Sequence, residues 1–280
     1  MQGRVQATVV ALLGSWVPLL SPATVGLVTL RLGYHQGIWI FIAAILPAVI
    51  APWWSPETPL LMLMVLLNVT SLFTTLVVAE ALRWIRSWPV ALMLATILSV
   101  MAAIVVGLIN PQDVENITSA AKEAIEQLNA TQQQNVPLPT ERFSLGMLGF
   151  FNVFVALMGL LIGRWLQSIV YNPGGFQEEI HQLRLPSSMA MVCAGASIYC
   201  WWLGSDYSWW TLLFATPLML SGIGLVHWFC KSKKLPAFWL VAFYAALLLV
   251  SPLSILLVLL ATSDSFFNVR ERLARMRSGE

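Results

Sequence analysis

Long apolar runs, separated by gaps whose charges alternate in sign, constrain this chain more than any single residue does. The runs Gln36 to Trp53, Thr58 to Leu82, Trp88 to Ile109, Ser144 to Val170, Ser187 to Leu203 and Ser208 to Phe229 are each of the order of the roughly 20 residues that a helix needs to cross hydrocarbon. Of the fifteen Lys and Arg residues, seven fall in every second gap and five more lie at the two ends of the chain. Arg31 and His35, Arg83 and Arg86, Arg184, and Lys231 with Lys233 and Lys234 occupy one set. Glu57, then Asp113, Glu115, Glu123, Glu126 and Glu141, then Asp206, occupy the other, with only Lys122 and Arg142 as basic residues. The excess of Lys and Arg in cytoplasmic loops makes the first set cytoplasmic and the second extracytoplasmic. Tryptophans bracket the runs at both levels, as amphipathic rings do at membrane interfaces.

Composition excludes the other classes. At 280 residues, 58% hydrophobic and 10% charged, with a mean hydropathy of +0.78, the chain is too apolar for a soluble globule. Its formal charge of +2 is dispersed among loops, which argues against nucleic acid as a partner. Cys193, Cys200 and Cys230 lie in or beside apolar runs and match neither a disulfide framework nor a zinc site.

The terminal runs, Val5 to Leu30 and Leu235 to Phe267, are too long for one ordinary span and short for two. Pro18, Ser21 and Pro22 interrupt the first, and Ser251 and Pro252 the second, where proline removes a backbone donor. Each is open to two readings, a kinked span or a short hairpin. A C-terminal hairpin returns Arg270, Arg272, Arg275 and Arg277 to the cytoplasm, and Arg4 stays there on the same logic. The predicted fold is an all-α polytopic membrane bundle of about 8 to 10 membrane helices, with short broken helices at both ends and one amphipathic outer helix. It forms a single membrane domain over 1–280, with an extracytoplasmic insertion at 110–143, a cytoplasmic loop at 171–186 and a basic cytoplasmic tail at 268–280. The outer helix begins after Asn110 and carries a stripe of Val114, Ile117, Ala121, Ala124 and Leu128. Its acidic face suits a cap resting on the protein better than a helix lying on anionic lipid.

Polar groups inside spans are costly and so are the functional candidates. Asn68, Ser71, Thr75 and Asn152 would line a ligand cavity, the competing explanation being hydrogen bonds between helices. Glu80 and Arg83 are placed to pair with each other. In the cytoplasmic loop, Gly174, Gly175, Phe176, Glu178, His181 and Arg184 are docking candidates, with His181 and Arg184 pairing with the glutamates, and Asp264 and Arg270 are further polar candidates at the inner face. Glu178 and His181 have the Glu-x-x-His spacing of carboxylate metal sites, but the other inward carboxylates such a site needs are missing. No metal, cofactor or catalytic residue is expected. Small residues at Ala7 and Ala11, Gly159 and Gly163, and Ala242 and Ala246 allow close helix approach, Gly159 with Gly163 most of all.

Leu30 to Gly37 leading into an apolar helix, the Asn172 to Leu185 loop, and Ser263 to Arg270 together resemble the YybS-like family of multi-pass bacterial membrane proteins. That resemblance implies the bacterial cytoplasmic membrane but no activity. More remotely, the chain is similar to the substrate-binding S components of energy-coupling-factor transporters, whose early helices run into a glycine-containing inner turn like Gly33 to Gly37. This similarity implies a small ligand and a membrane or ATPase coupling partner met through Ala7 and Ala11. The chain departs from it in its extra helices and its acidic insertion. The expectation is a non-enzymatic ligand-binding subunit with both termini cytoplasmic, set against a scaffold acting through the cytoplasmic loop.

Overall fold

A computed structural model describes residues 4–14, 17, 19–54, 61–132, 135–250 and 252–278. Pro18, Glu57 and Ser251 lie outside the described residues, as do the side chains of Arg4 and Arg277. Among the described residues the regular structure is entirely helical. The helices are α1 (Arg4–Leu13), α2 (Leu20–Leu32), α3 (Tyr34–Trp54), α4 (Leu61–Ile85), α5 (Trp88–Ile109), α6 (Pro111–Gln132) and α7 (Glu141–Tyr171). They continue with α8 (Gly175–Gln182), α9 (Ser187–Trp202), α10 (Ser208–Ser232), α11 (Phe238–Leu249), α12 (Pro252–Phe267) and α13 (Val269–Ser278).

The expected 8 to 10 membrane helices do not emerge at full length. Among the described residues five helices, α3, α4, α5, α7 and α10, are long and apolar enough to cross a bilayer, or six spans if the bent pair α11 and α12 counts as one. The shortfall has a geometric cause. α9 has 16 residues, about 24 Å at ~1.5 Å per residue, less than a hydrocarbon core of roughly 30 Å. α11 and α12 meet at 117°, which is neither a straight span nor a parallel-armed hairpin.

At the other end α1 and α2 form a hairpin. Ala7 and Ala11 of one arm share a buried cluster with Val25 and Val28 of the other and with Ile40, Leu72 and Leu76. The Ser21 hydroxyl donates to the Ala11 carbonyl across the break, at 2.9 Å. Gly33, at φ +87°, then reverses the chain into α3, a backbone conformation that a side chain would strain. Ala7 and Ala11 are thus covered by α2 and α3 rather than offered to a partner.

The buried centre is α2 against α7. Gly159 and Gly163 let the two backbones touch: a Cβ at Gly163 would lie 2.8 Å from the Leu27 nitrogen and 3.0 Å from the Ala23 carbonyl oxygen. This is the close packing the spacing predicts. α7 begins with Thr140 as N-cap, its hydroxyl accepting from the Phe143 N–H, and Glu141 in the first turn. α5 begins with Pro89 in its first turn, where the missing N–H is harmless.

Charge is sorted to the two ends. One end gathers Arg83, Arg86, Arg164 and Glu179 around a cavity and places Arg270 against the α8–α9 connection. At the other end α6 docks most closely by its first turns. Val114 packs with Leu63, Val106 and Leu148, and Thr118 and Ser144 share a hydrogen bond of 2.7 Å. Ala124 and Leu128, expected in the apolar stripe, are exposed. Ala121 and Ile125, on the same side of the second half, are half-buried.

Candidate functional site

The intramembrane polar residues separate into a knot and a cavity. Asn152 of α7 is 2% exposed. Its Oδ1 accepts from the Thr74 hydroxyl at 3.1 Å and the Ser99 hydroxyl at 2.9 Å, and its Nδ2 donates to Thr70 Oγ1 at 2.8 Å. One amide thus ties α7 to α4 and α5, the interhelical role weighed against ligand contact in the sequence. Thr75 bonds back to the Ser71 carbonyl and Ser71 to the Asn68 carbonyl. Asn152→Leu is expected to cost about 2 kcal/mol, from three interhelical bonds at roughly 0.6 kcal/mol each plus a packing change. Unfolding by dodecyl sulfate titration in mixed micelles measures this.

Asn68 is different: its Oδ1 is buried and has no hydrogen-bond partner among the described residues. It lines a cavity of about 380 Å³ together with Gly14, Val17, Leu19, Ser21, Pro22, Met64, Leu67, Ser71, Phe151, Asn152 and Val155. Thr75 is not part of that lining, and neither is any residue of α6, so the cavity belongs to the α1–α2 break rather than to the outer helix. Along α4, Asn68 is about 10 Å from the acidic end, whereas the first residue of α2 is about 20 Å from the basic end. The break therefore sits at depth. Non-helical backbone at such a depth is tolerated where it is enclosed by protein or lines a cavity. Leu19 enters α2 in the left-handed region, at φ 68°, and supplies no side-chain cap. The positive end of the α2 dipole thus faces the cavity.

The loop candidates are mostly built into the fold. Arg164 and Glu179 form a two-pronged ion pair, to which Trp88 Nε1 adds a 3.0 Å bond. Arg164 also donates to Gln167 at 2.6 Å. Burial pushes the Glu179 carboxyl up, but the hydrogen bonds from Arg164 and Trp88 and the nearby guanidinium charge outweigh it, leaving its pKa below the ordinary value. Phe176 packs edge-on to Trp88, with ring centroids 6.4 Å apart. Gly174 takes φ +90° to start α8 next to Gly175.

The expected pairing of His181 and Arg184 with the glutamates does not form, because Glu179 faces α7 and Glu178 is exposed. Arg184 makes no ion pair among the described residues. The His181 ring lies 6.5 Å from His227. Burial, and then the charges of Lys231, His227 and Arg270, lower its pKa against an opposing pull from Glu178.

Asp264 and Arg270 come together as a clamp. Asp264 is fully buried and accepts from Arg270 Nε at 2.9 Å and from its backbone N–H at 3.3 Å. The other guanidinium nitrogens donate to the His181 carbonyl, and to the carbonyls of Leu183 at 2.7 Å and Ser221 at 3.4 Å. Two of the sequence stretches singled out above, the loop and the Ser263 to Arg270 segment, are thus one structural unit.

Arg164 is the residue that sequence reasoning passed over, since it lies inside the apolar run Ser144 to Val170. Among the described residues no group of His, Cys, Asp and Glu is arranged to hold a metal. No family model, curated protein or solved structure matches this chain, so function has to be argued from the sites themselves.

Proposed function

We propose that this membrane-embedded helical protein is a non-enzymatic small-ligand-binding subunit of a transport system, resembling a transporter S component and dependent on a separate energising partner. The carrying observation is the Asn68 Oδ1, without a donor among the described residues, in a cavity at the α1–α2 break. A buried acceptor left without a donor costs about 1–3 kcal/mol, and a ligand N–H or O–H would supply the missing bond. The start of α2, which no side chain caps, favours through its dipole an acceptor or anionic group on the same ligand, the arrangement that broken helices give midplane sites in transporters. A small polar molecule carrying both kinds of group suits a volume of about 380 Å³. Charge sorting supports a cytoplasmic basic face, with both termini on that side of a bacterial cytoplasmic membrane. The competing scaffold reading is less well supported, because the loop it needs is bonded to α5, α7, α10 and α13.

The test is a thermal-shift screen of small polar metabolites on purified protein, repeated on Asn68→Leu. Loss of a hydrogen bond to the ligand is expected to weaken binding roughly tenfold or more, while the ligand-free variant becomes as stable as wild type or more so. Hits that stabilise wild type and Asn68→Leu equally would remove this site.

A further inference from the structure

A second polar cavity lies at the basic end, away from Asn68. It has a volume of about 790 Å³ and is walled by Leu30 of α2, Leu82, Arg83 and Trp84 of α4, Arg86, Trp88 of α5, Arg164 and Gln167 of α7, and Glu179 of α8. Three guanidinium groups face one carboxylate in this lining. Glu179 is committed to Arg164 and Trp88, so it neutralises one of them. Arg83 gives Nη1 to Glu80 at 3.2 Å and rests its guanidinium against Gly33, which leaves further donors of its planar fork for another acceptor. Arg86 makes no side-chain hydrogen bond or ion pair among the described residues, its backbone N–H donating to the Leu82 carbonyl at 2.9 Å. It sits in the α4–α5 turn with φ +54°.

Arginines near helix C-termini and on a cytoplasmic face are ordinary in themselves. A polar cavity of this size between them is not required by either rule. The α4 and α7 carbonyl ends that point this way carry about half a negative charge each and oppose an anion, whereas each guanidinium carries a full positive one. With Glu179 and Glu80 both counted, one positive charge is still unmatched, and Arg86 carries it.

We propose that this cavity binds a phosphate-bearing anion, with Arg86 as its anchor and Arg83 as the second donor, beside Trp84 and Trp88. Guanidinium forks match phosphate oxygens two at a time. The same chemistry is offered by the phosphodiester of an anionic lipid headgroup and by a soluble phosphate ester.

The experiment uses the full chain purified in a neutral detergent and follows thermal unfolding during titration with phosphatidylglycerol, phosphatidylcholine or glycerol 3-phosphate. Arg86→Gln is expected to weaken the stabilising anion roughly tenfold or more. Lys233→Gln, which removes the same charge from an exposed position on the same face, is expected to change it less than twofold. A response to phosphatidylglycerol but not to glycerol 3-phosphate assigns the site to a lipid headgroup, and a response to both assigns it to the phosphate ester itself. Should Arg86→Gln not purify as a single species, Arg83→Lys keeps the charge, loses the fork, and is expected to weaken the anion in the same direction. If Arg86→Gln and Lys233→Gln behave alike, or no probe stabilises wild type, the proposal is overturned.

Discussion

Arg270→Ala is expected to destabilise the protein by about 3–5 kcal/mol, the range for stripping one partner from a buried ion pair. The fully buried Asp264 would be left with no counter-ion, and the carbonyls of His181, Leu183 and Ser221 would lose their donor together. The loss should also be local. Backbone amides of α8 and of residues 183–186 should exchange faster with solvent deuterium, whereas those of α2 and α7 should keep their protection. Asp264→Ala combined with Arg270→Ala is expected to cost less than the sum of the single changes, because the unpaired charge disappears and only the carbonyl bonds stay unmade. Strictly additive costs would mean that the two residues act independently, and the clamp would be wrong.

The clamp also marks how far the sequence could be read. Asp264 and Arg270 stood out as polar residues beside a membrane run, but no periodicity says that Arg270 reaches back to residues 181 and 183. That contact exists because Asn268, at φ +49°, turns α13 away from the α12 axis. Glu178 and Glu179 make the same point at finer scale. A step of one residue turns a helical side chain by about 100°, so the choice between solvent and Arg164 depends on the seating of α8, which only the packed α7 and α10 determine. Arg164 itself was hidden by length. α7 has 31 residues, about 46 Å, so a residue more than 30 Å from its start lies at the interface although it reads as part of an apolar run.

Other features were legible because they are local or compositional. The apolar runs gave five full-length spans, and Pro22 gave the neighbourhood of the first break. Gly159 and Gly163 gave a close helix contact, though not its partner. Asn68 and Asn152 were equally conspicuous in the sequence and have opposite roles in the fold. Thr70, Thr74 and Ser99 converge on Asn152, whereas none of the described residues donates to Asn68 Oδ1. Hydrogen-bond satisfaction is a property of three-dimensional neighbours, so it could not have separated them beforehand.

The second large effect is expected at Gly163→Val. In lipid the apolar tails compete on equal terms with apolar side chains, so helices associate through close packing and small residues rather than through the hydrophobic effect. The α2–α7 contact is the tightest form of that packing, with backbone against backbone. The Leu27 nitrogen and Ala23 carbonyl that a Cβ would strike cannot rotate away as a side-chain tip can. α2 would have to move as a unit, and it is held at one end by Gly33 and at the other by the Ser21 to Ala11 bond. Overpacking of this kind costs roughly 1–3 kcal/mol and sometimes more. Because α2 also forms a wall of the Asn68 cavity, the same change should weaken any ligand that Asn68→Leu weakens, although residue 163 does not touch the site. Gly195→Val is the matched control: the same substitution in α9, where a Cβ meets nothing within 4 Å, should leave ligand response intact and cost less than about 0.5 kcal/mol, as surface changes do. Equal losses at the two positions would show that valine in a membrane helix, and not the α2–α7 contact, is responsible.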